Sequence, residues 1–398
     1  MIKELNEKIQ RLREVLVTCY KAIKRKGGTI PEAGERNMTN LPAAVLSIPQ
    51  THGVLTELEV TTNGEYLPAK YDADGFSKVI ARFDTSSLGR VKVTDFKVTK
   101  DCINEDGRWE GDQLIDVSLC TTFDSKFRDF NNLRTFNGSG WDTSNIQSFG
   151  NMFRNCTSLE YANIDKWVFN FSPQWMFNGC TELAEISAKS VVCKNMTYLF
   201  SGIPKITYLD LSTWNVKDCT TVQEAFSACG VIEINTKGWN LSKVERCNNM
   251  FIHCNNLEII KGTGDWNLHD VANIVAMFYQ CNKLKSLDTT TWDFSNVVKC
   301  DFSFLKGCTS LETLIGNHTL EEAENNTIKC FNGMSISLDL LGLNKLERAS
   351  LRAVINGLAD VNDQPEESRP TLTLGTTLLT KLTDGDKGIA TEKGWNLA

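Results

Sequence analysis

A phrase of about 25 residues recurs through the middle of this 398-residue chain, from Phe127 to Leu314. Each copy has an anchor, which is aromatic in seven of the eight copies and is usually followed by a small apolar residue three positions later and an aliphatic residue six positions later. A tryptophan follows about eight residues further on. Periods of about 20 to 50 residues are typical of solenoids, because one unit cannot bury its apolar face without the next. The phrase therefore predicts an α+β repeat solenoid of about eight coils over residues 101–320.

Four columns of residues keep their places from coil to coil, and we number the coils one to eight by their anchors. The anchors are Phe127, Phe153, Phe177, Phe200, Phe226, Phe251, Phe278 and Leu305. The predicted aliphatic column is Leu133, Leu159, Leu183, Ile206, Ile232, Leu257, Leu284 and Leu311. The small column is mostly cysteine: Cys156, Cys180, Cys229, Cys254, Cys281 and Cys308, with Phe130 and Ile203 in the other coils. The last column is Trp141, Trp167, Val191, Trp214, Trp239, Trp266 and Trp292.

Each coil is expected to hold a short strand, a polar turn and a segment of helical spacing. Leu284 and Leu287 are an example of a pair that suits a strand with inward side chains. Ile146, Phe149, Met152 and Phe153 recur three and four residues apart, which is typical of a helix. Stacked coils keep such core positions fixed and let the connecting turns vary in length.

The cysteine and tryptophan columns are interpreted as packing residues. Cysteine is small and apolar, and we expect reduced, buried thiols rather than a disulfide framework. Cys-x-x-Cys spacing does not occur and the four histidines are scattered, so metal binding is not expected. For the tryptophans two interpretations are open. They form either an exposed aromatic ladder for sugars or, as we favour, core residues at a corner of each coil.

The N-terminal residues carry a second regular pattern. An a/d heptad seam with alternating spacings of three and four is formed by Ile2, Leu5, Ile9, Leu12, Leu16, Cys19 and Ile23. The pair Gly27-Gly28 ends it. We therefore predict that residues 1–28 form an α-helical coiled coil for oligomerisation or anchoring, as a dimer or a trimer. The alternative is an amphipathic helix that packs on its own domain.

Three other regions flank the repeats. Residues 29–52 are predicted to be a linker with a short helix. Residues 53–100 alternate with period two and contain Asn63-Gly64, a hairpin signal, so we expect a small β module that stands alone or caps the solenoid. Residues 321–398 are expected to form an α/β cap. Its predicted elements are a helix over 346–355 that ends at Gly357, a strand from Thr371 and a helical stretch within 378–393.

Charge and composition narrow the classes of function. The formal net charge is -7 and the basic clusters are small, whereas nucleic-acid-binding proteins usually carry a basic face. The start has no apolar h-region and no run of about 18 apolar residues occurs, so we expect neither a signal peptide nor membrane insertion. The sequence shows no phosphate-binding glycine loop and no nucleophile elbow. We therefore expect neither an enzyme nor a cofactor.

The repeat also resembles a known family. The stretch from Trp141-Asp142-Thr143-Ser144-Asn145-Ile146 through Asn151-Met152-Phe153 to Cys156-Thr157-Ser158-Leu159 is similar to the repeat of BspA-type leucine-rich repeat proteins, the DUF285 group. The resemblance covers residues 107–320 and implies a leucine-rich-repeat-like solenoid. It also implies a surface or adhesive protein of bacteria or their phages. Ile203 departs from the pattern, and so does the coil of Trp167, which is two residues short before Met176.

Two further stretches resemble phage proteins. Residues 60–68 with 74–79 look like a module common in phage tail and fibre proteins, and residues 372–397 are similar to the tail of repeat proteins of gut Bacteroidetes and their phages. These resemblances imply a virion fibre or other head or tail appendage, assembled in the bacterial cytoplasm. Its partners would be further copies of itself, other virion proteins and a host receptor or glycan. The alternative is a bacterial cell-surface adhesin of the same family, which needs an export signal.

Overall fold

A computed structural model describes the backbone of four short strands between residues 54 and 81, and residues 91–398 apart from 99, 110–114 and 302. The heptad positions from Ile2 to Ile23, the linker 29–52 and the Asn63-Gly64 pair lie outside the described residues. The coiled coil, the linker helix and the hairpin turn therefore stay predictions. The chain divides into two compact units, residues 1–93 with 114–116 and residues 94–113 with 117–398.

The described strands of the first unit pair in parallel. They are β1 (Val54–Leu55), β2 (Leu58–Val60), β3 (Gly75–Phe76), β4 (Val79–Ala81), β5 (Val91–Lys92) and β6 (Ile115–Asp116). β1 pairs with β3, β2 with β4 and β5 with β6. Strands joined by a tight turn are antiparallel. β2 and β4 are therefore not the two arms of a hairpin through Asn63-Gly64, although strands do occur in the predicted β module.

The repeats lie in the second unit and stack through short parallel strands. In chain order these are β7 (Thr135–Asn137), β8 (Tyr161–Asn163), β9 (Val168–Phe169), β10 (Glu185–Ser187), β11 (Val192–Cys193), β12 (Tyr208–Asp210), β13 (Glu233–Asn235) and β14 (Ile259–Lys261). One sheet contains β7, β8 and β10, a second contains β12, β13 and β14, and β9 pairs with β11. Each pairing joins one coil to the next, as between Ala162 and Ile186. The described repeats are thus mostly strand, turn and loop.

The anchor and cysteine columns form the buried interior of the repeats. Anchor rings stack between coils, with 5.4 Å between the ring centroids of Phe153 and Phe177. Most of the column cysteines donate to the main-chain carbonyl of the preceding anchor, as Cys254 Sγ does to Phe226 O at 2.9 Å. Cysteine therefore suits this column twice over. It is small and apolar, and its S–H group satisfies a carbonyl that the stack buries.

The tryptophan column is buried as well, which excludes the sugar ladder for these residues. The indole Nε1 of Trp239 donates to Leu211 O at 2.9 Å, and that of Trp292 donates to Thr263 O at 2.9 Å. A buried indole usually finds a partner for its N–H group. The column is therefore a row of buried corner residues, and the indoles of Trp167, Trp214, Trp239, Trp266 and Trp292 each donate a hydrogen bond to the coil before.

The segments of helical spacing are consecutive turns, so the helices predicted there are wrong. In coil two, Asn151 has a φ of 56°, in the left-handed region, and other coils repeat a positive φ at this position. Met152 N bonds to Phe149 O inside the coil at 3.2 Å, but Phe153 N reaches Met176 O of coil three at 2.9 Å. A helix would keep successive N–H groups inside its own segment. The spacing of three residues therefore reflects stacked turns.

One residue of the predicted aliphatic column is wrong. Ile232 is 41% exposed, and Val231 fills the core position of coil five. The coil is shorter here because Gly230 passes close to coil four, where its N–H donates to Ile203 O at 2.8 Å. A Cβ at Gly230 would lie 1.8 Å from Pro204 O, so only glycine permits the approach. The shortened turn places Val231 inside and Ile232 outside.

The C-terminal residues form an α/β region with parallel strands. Its elements are α1 (Leu320–Glu324), β15 (Leu338–Asp339), α2 (Arg348–Gly357), β16 (Thr371–Thr373), α3 (Gly375–Leu379), α4 (Asp384–Glu392) and β17 (Asn396–Leu397). β16 pairs with both β15 and β17. Glu347 N donates to Glu312 O at 2.8 Å, which ties the region to coil eight. The predicted helix and strand are observed, and single 3₁₀ turns occur at Lys100–Cys102, Thr263–Asp265 and Glu366–Ser368.

Candidate interaction surface

The outward side of β12, β13 and β14 carries large apolar side chains. Tyr208, Ile232 and Ile259 are 50%, 41% and 38% exposed. Tyr208 and Ile259 share one register position on either side of Glu233. Ile232 precedes that position, and its N–H donates to Thr207 O at 2.8 Å. The three exposed side chains therefore come from neighbouring positions of three successive coils, with Glu233 between Tyr208 and Ile259 in their row. We name the three side chains the apolar patch.

Local structure explains why each of these side chains faces outward. Successive residues of a strand point to opposite sides. In β14 the middle residue Ile260 is buried, so Ile259 points outward. In β12 the middle residue Leu209 is likewise buried, so Tyr208 points outward. Ile232 points outward because the shortened turn gives the core position to Val231.

Two ion pairs that join neighbouring coils lie among and beside the side chains of the apolar patch, and we call them its frame. Lys261 Nζ lies 2.5 Å from Glu233 Oε1, and Lys285 Nζ lies 2.6 Å from Glu258 Oε2. The hydrogen bond from Lys285 lowers the pKa of Glu258, and the bond to Glu233 raises the pKa of Lys261. Exposed pairs of this kind add little stability. The two lysines and two glutamates therefore face the solvent as ion pairs and not as single charges.

Asp210 completes the frame at the carboxyl end of β12. Its Oδ1 accepts a hydrogen bond from the Ser212 hydroxyl at 2.7 Å and another from Asn235 Nδ2 at 3.0 Å. The Ser212 hydrogen bond is the largest cause of a lowered pKa at Asp210, and the Asn235 bond lowers it further. The carboxylate therefore stays ionised and acts as an acceptor within the frame, which does not suit a general base near neutral pH.

Exposed apolar side chains beside polar groups that already have partners are typical of protein–protein interfaces. Tyrosine is among the residues that most often supply binding energy at such centres, because it buries a large ring and keeps a polar tip. The patch also rests on hydrogen-bonded strands rather than on a loop, so little order is lost when a partner binds. The arrangement therefore suits the binding of a protein surface.

The environments of two buried cysteines and one surface histidine explain the shifts of their pKa. Burial raises the pKa of Cys156 and of Cys229 to about 12, so both remain thiols and are not activated nucleophiles. His269 Nδ1 lies 2.8 Å from Asp293 Oδ2 on the surface, and this hydrogen bond raises the pKa of the imidazole. The part of the chain that the structure describes contains no group of three or more His, Cys, Asp or Glu residues that could hold a metal ion.

The structure describes the apolar patch but not the predicted oligomerisation residues. The heptad positions Ile2 to Ile23 lie outside the described residues, so their role stays a prediction. The patch is absent from the sequence prediction, because Tyr208 and Ile259 belong to no column and Ile232 was assigned to the buried aliphatic column. Gly230 next to Val231 was the available signal, since together they offer an alternative core residue five positions after Phe226.

Comparison with protein families now identifies the repeat. The family described as "Mycoplasma protein of unknown function, DUF285" matches residues 71–190, 172–287 and 234–339. The three matches together span more than half of the chain. The chain belongs to this family. The DUF285 matches cover all eight coils and confirm the resemblance seen in the repeat. The family description states no function, so membership establishes the type of repeat and not the role of the protein.

Two further comparisons add little to the DUF285 assignment. A leucine-rich cell surface protein from Faecalibacterium prausnitzii A2-165 is similar in structure at 15% identity, with a TM-score of 0.25, over 70% of this chain and 82% of that one. At that TM-score the similarity carries no argument. A search of the curated proteins found no match. Within the described residues, no helix has both the length and the apolar character required to cross a membrane.

Proposed function

We propose that this DUF285 protein is a non-enzymatic bacterial cell-surface protein that binds a partner protein through the sheet face of coils four to six. The observation that carries the proposal is the apolar patch of Tyr208, Ile232 and Ile259 with its frame of paired charges. These apolar side chains face solvent although the repeats bury their apolar columns throughout. Exposed apolar groups with a polar rim mark interaction sites in soluble domains.

The family resemblance supports the cell-surface part of the proposal. Proteins with BspA-type repeats are mostly surface or adhesive proteins, and the repeat here belongs to the same DUF285 group. The virion interpretation depends on the heptad seam within residues 2–23, on the fibre-like module within residues 60–79 and on the resemblance of residues 372–397. The family match supports none of these three, so the virion role stays a prediction and the adhesin is the function proposed.

Assembly through the heptad seam is a further part of the proposal. Two or three copies joined at their N-termini would present two or three patches, and linked sites bind a multivalent surface more tightly than one site does. Deleting residues 1–26 should therefore reduce the mass measured by light scattering to that of one chain. An unchanged mass would contradict self-association through this segment without affecting the patch.

Photo-crosslinking tests the binding face directly. A photo-crosslinking amino acid at position 232 of the full chain, expressed in the cells that encode it, should give one discrete covalent adduct. The same reagent at position 259 should capture the same protein. Position 245 is the matched control, since Glu245 is exposed in the same coil but outside the strand face. Equal capture at positions 232 and 245, or none at 232 and 259, would overturn the proposed face.

Protease treatment of intact cells tests the location. A surface protein should be cleaved by added protease while a cytoplasmic marker in the same cells stays whole. Complete protection of the chain in intact cells, with cleavage only after lysis, would contradict the cell-surface location. It would leave the crosslinking result as an independent test of the patch.

A further inference from the structure

Main-chain hydrogen bonds between coils recur at two fixed positions. On the strand side, the residue after the aliphatic column donates to its counterpart in the preceding coil. These bonds, at 2.8 to 3.3 Å, run from Glu160 to Arg134, Ala184 to Glu160, Ile232 to Thr207, Glu258 to Ile232, Lys285 to Glu258 and Glu312 to Lys285. On the turn side, the anchor N–H donates to the next coil at 2.8 to 3.0 Å. These bonds run from Phe127 to Met152, Phe153 to Met176, Phe200 to Ala225, Phe226 to Met250, Phe251 to Met277 and Phe278 to Phe304.

The step from coil three to coil four lacks both bonds. Among the described residues, neither Thr207 N to Ala184 O nor Phe177 N to Leu199 O occurs. β10 and β12 also belong to different sheets. The other steps from coil one to coil eight keep both bonds. We name this step the inter-coil gap, which separates residues 174–187 from residues 197–210.

The sequence explains part of the missing bonding. In most coils the residue four positions before the anchor donates its N–H to the next coil, as Val222 does to Arg246 O at 3.0 Å. Coil three has Pro173 at this position, and proline has no N–H. Coil four has Ile203 in the cysteine column, so the thiol that would donate to the anchor carbonyl of coil three is missing. Two cross-coil donors are therefore lost at the same step.

Side chains also pack less closely at the inter-coil gap than at the neighbouring steps. The inward residue of β10, Ile186, is only half-buried, whereas its counterpart Leu209 in β12 is buried. The anchor rings stack on each side of the gap, at 5.4 Å for Phe153 with Phe177 and at 5.5 Å for Phe200 with Phe226. Within the described residues, Phe177 and Phe200 make no such stack across it.

The tryptophan corner holds the two sides of the inter-coil gap together. Asn215 N donates to Val191 O at 2.8 Å, and Cys193 N donates to Asn215 O at 3.0 Å. The Trp214 indole adds a bond from Nε1 to Ala188 O at 2.6 Å. The corner is therefore bonded as in other coils while the strand and turn sides are not.

Surface side chains make the remaining contacts across the inter-coil gap. The rings of Trp175 and Tyr198 lie 5.1 Å apart, tilted by 43°. Lys205 Nζ and Glu182 Oε2 form an exposed ion pair. Such a pair contributes little in water. These contacts cover the gap at the surface without replacing the main-chain ladder.

We propose that the inter-coil gap is a hinge, at which coils one to three and coils four to eight part on the strand and turn sides while the Trp214 corner stays closed. Opening there breaks none of the repeated main-chain bonds, whereas opening at any other step from coil one to coil eight breaks two columns of them. Local opening occurs where the fewest buried contacts and hydrogen bonds must be lost. The hinge borders the apolar patch because Tyr208 lies on β12, but it is inferred from hydrogen bonds and does not depend on the proposed function.

Thiol alkylation of the native full chain tests the hinge. Cys180 is the column cysteine next to the gap, and Cys254 lies inside the continuous coils. Both are buried with raised pKa, so exposure by opening controls their reactivity. With iodoacetamide and peptide mass spectrometry, Cys180 should react at least about tenfold faster than Cys254. Cys193, at the closed corner, is buried and its pKa is also raised by burial, so it should react as slowly as Cys254. Equal rates for Cys180 and Cys254 would overturn the hinge.

A disulfide across the gap distinguishes the hinge from other causes of reactivity. Oxidising the variant Glu182→Cys with Lys205→Cys should lower the rate at Cys180 by at least about tenfold, to that of Cys254. The matched control is Glu258→Cys with Lys285→Cys, which bridges a continuous step and should leave the rate at Cys254 unchanged. A Cys180 thiol that still reacts fast in the bridged variant would mean that another motion exposes it.

Discussion

The two sides of β12, β13 and β14 follow opposite rules. Inward, the strands place Leu209, Ile234 and Ile260 in one buried column. Outward, the matched positions are Tyr208, Glu233 and Ile259, which share neither size nor charge. Stacked coils need similar neighbours inside, because each side chain packs against its copies above and below. No such constraint acts outside, so recurrence along the chain marks scaffold and variation marks the surface that can recognise a partner.

The largest expected effect comes from removing a scaffold residue. Trp266 is fully buried, and its Nε1 donates to Thr236 Oγ1 at 3.1 Å. Trp266→Ala should lower the free energy of unfolding by about 3–5 kcal/mol, measured by chemical denaturation, because it leaves a large cavity. Trp175→Ala is the control, since Trp175 is 38% exposed and outside the column. A similar loss in both variants would break the distinction between recurring and variable tryptophans.

Gly230→Ala should have the next largest effect. Its new Cβ would lie 1.8 Å from Pro204 O, so the shortened turn of coil five must move. We expect a loss of about 2–3 kcal/mol in the free energy of unfolding. Gly388→Ala is the matched control, because a Cβ there meets nothing within 4 Å and Gly388 lies inside α4. That variant should gain about 0.5–1 kcal/mol. Equal stability of Gly230→Ala and the parent would contradict the close approach.

These two cases show what the sequence could and could not predict. The anchor, cysteine and tryptophan columns were predictable because they recur, and recurrence reflects burial in every coil. The shift at Gly230 was not predictable from spacing, since Ile232 also fits an aliphatic column. The turns were mistaken for helices because both structures place inward residues three apart. Only the left-handed backbone separates the two, and residues such as Trp175 and Glu224 adopt it without being typical of it.

A smaller effect is expected from a cysteine of the scaffold. Cys254→Ala removes the bond from Sγ to Phe226 O and leaves a small cavity. The free energy of unfolding should fall by about 1–2 kcal/mol in thermal or chemical denaturation. Ile203 occupies the same column in coil four without a thiol. Ile203→Ala therefore serves as a comparison that makes a cavity without losing a hydrogen bond. If Cys254→Ala leaves the free energy of unfolding unchanged, the hydrogen bond from the Cys254 thiol does not stabilise the stacking of the coils.

The smallest effect on stability is expected where the effect on binding is largest. Ile232→Asn replaces an outward side chain that is 41% exposed, so the free energy of unfolding should change by no more than about 0.5 kcal/mol. The crosslinked adduct formed through position 259 should nevertheless be lost, because a polar amide at the centre of the patch cannot replace its apolar contact.

The neighbouring residue supplies the control for this last comparison. Val231→Asn places the same amide one position earlier, where the side chain is fully buried. Burying an amide without a partner and losing the valine packing should together cost about 2–4 kcal/mol. If the two adjacent variants exchanged these outcomes, Ile232 would be the core residue and Val231 the outward one. The patch would then lose its central member, and the sheet face of coils four to six would have no apolar centre to offer a partner.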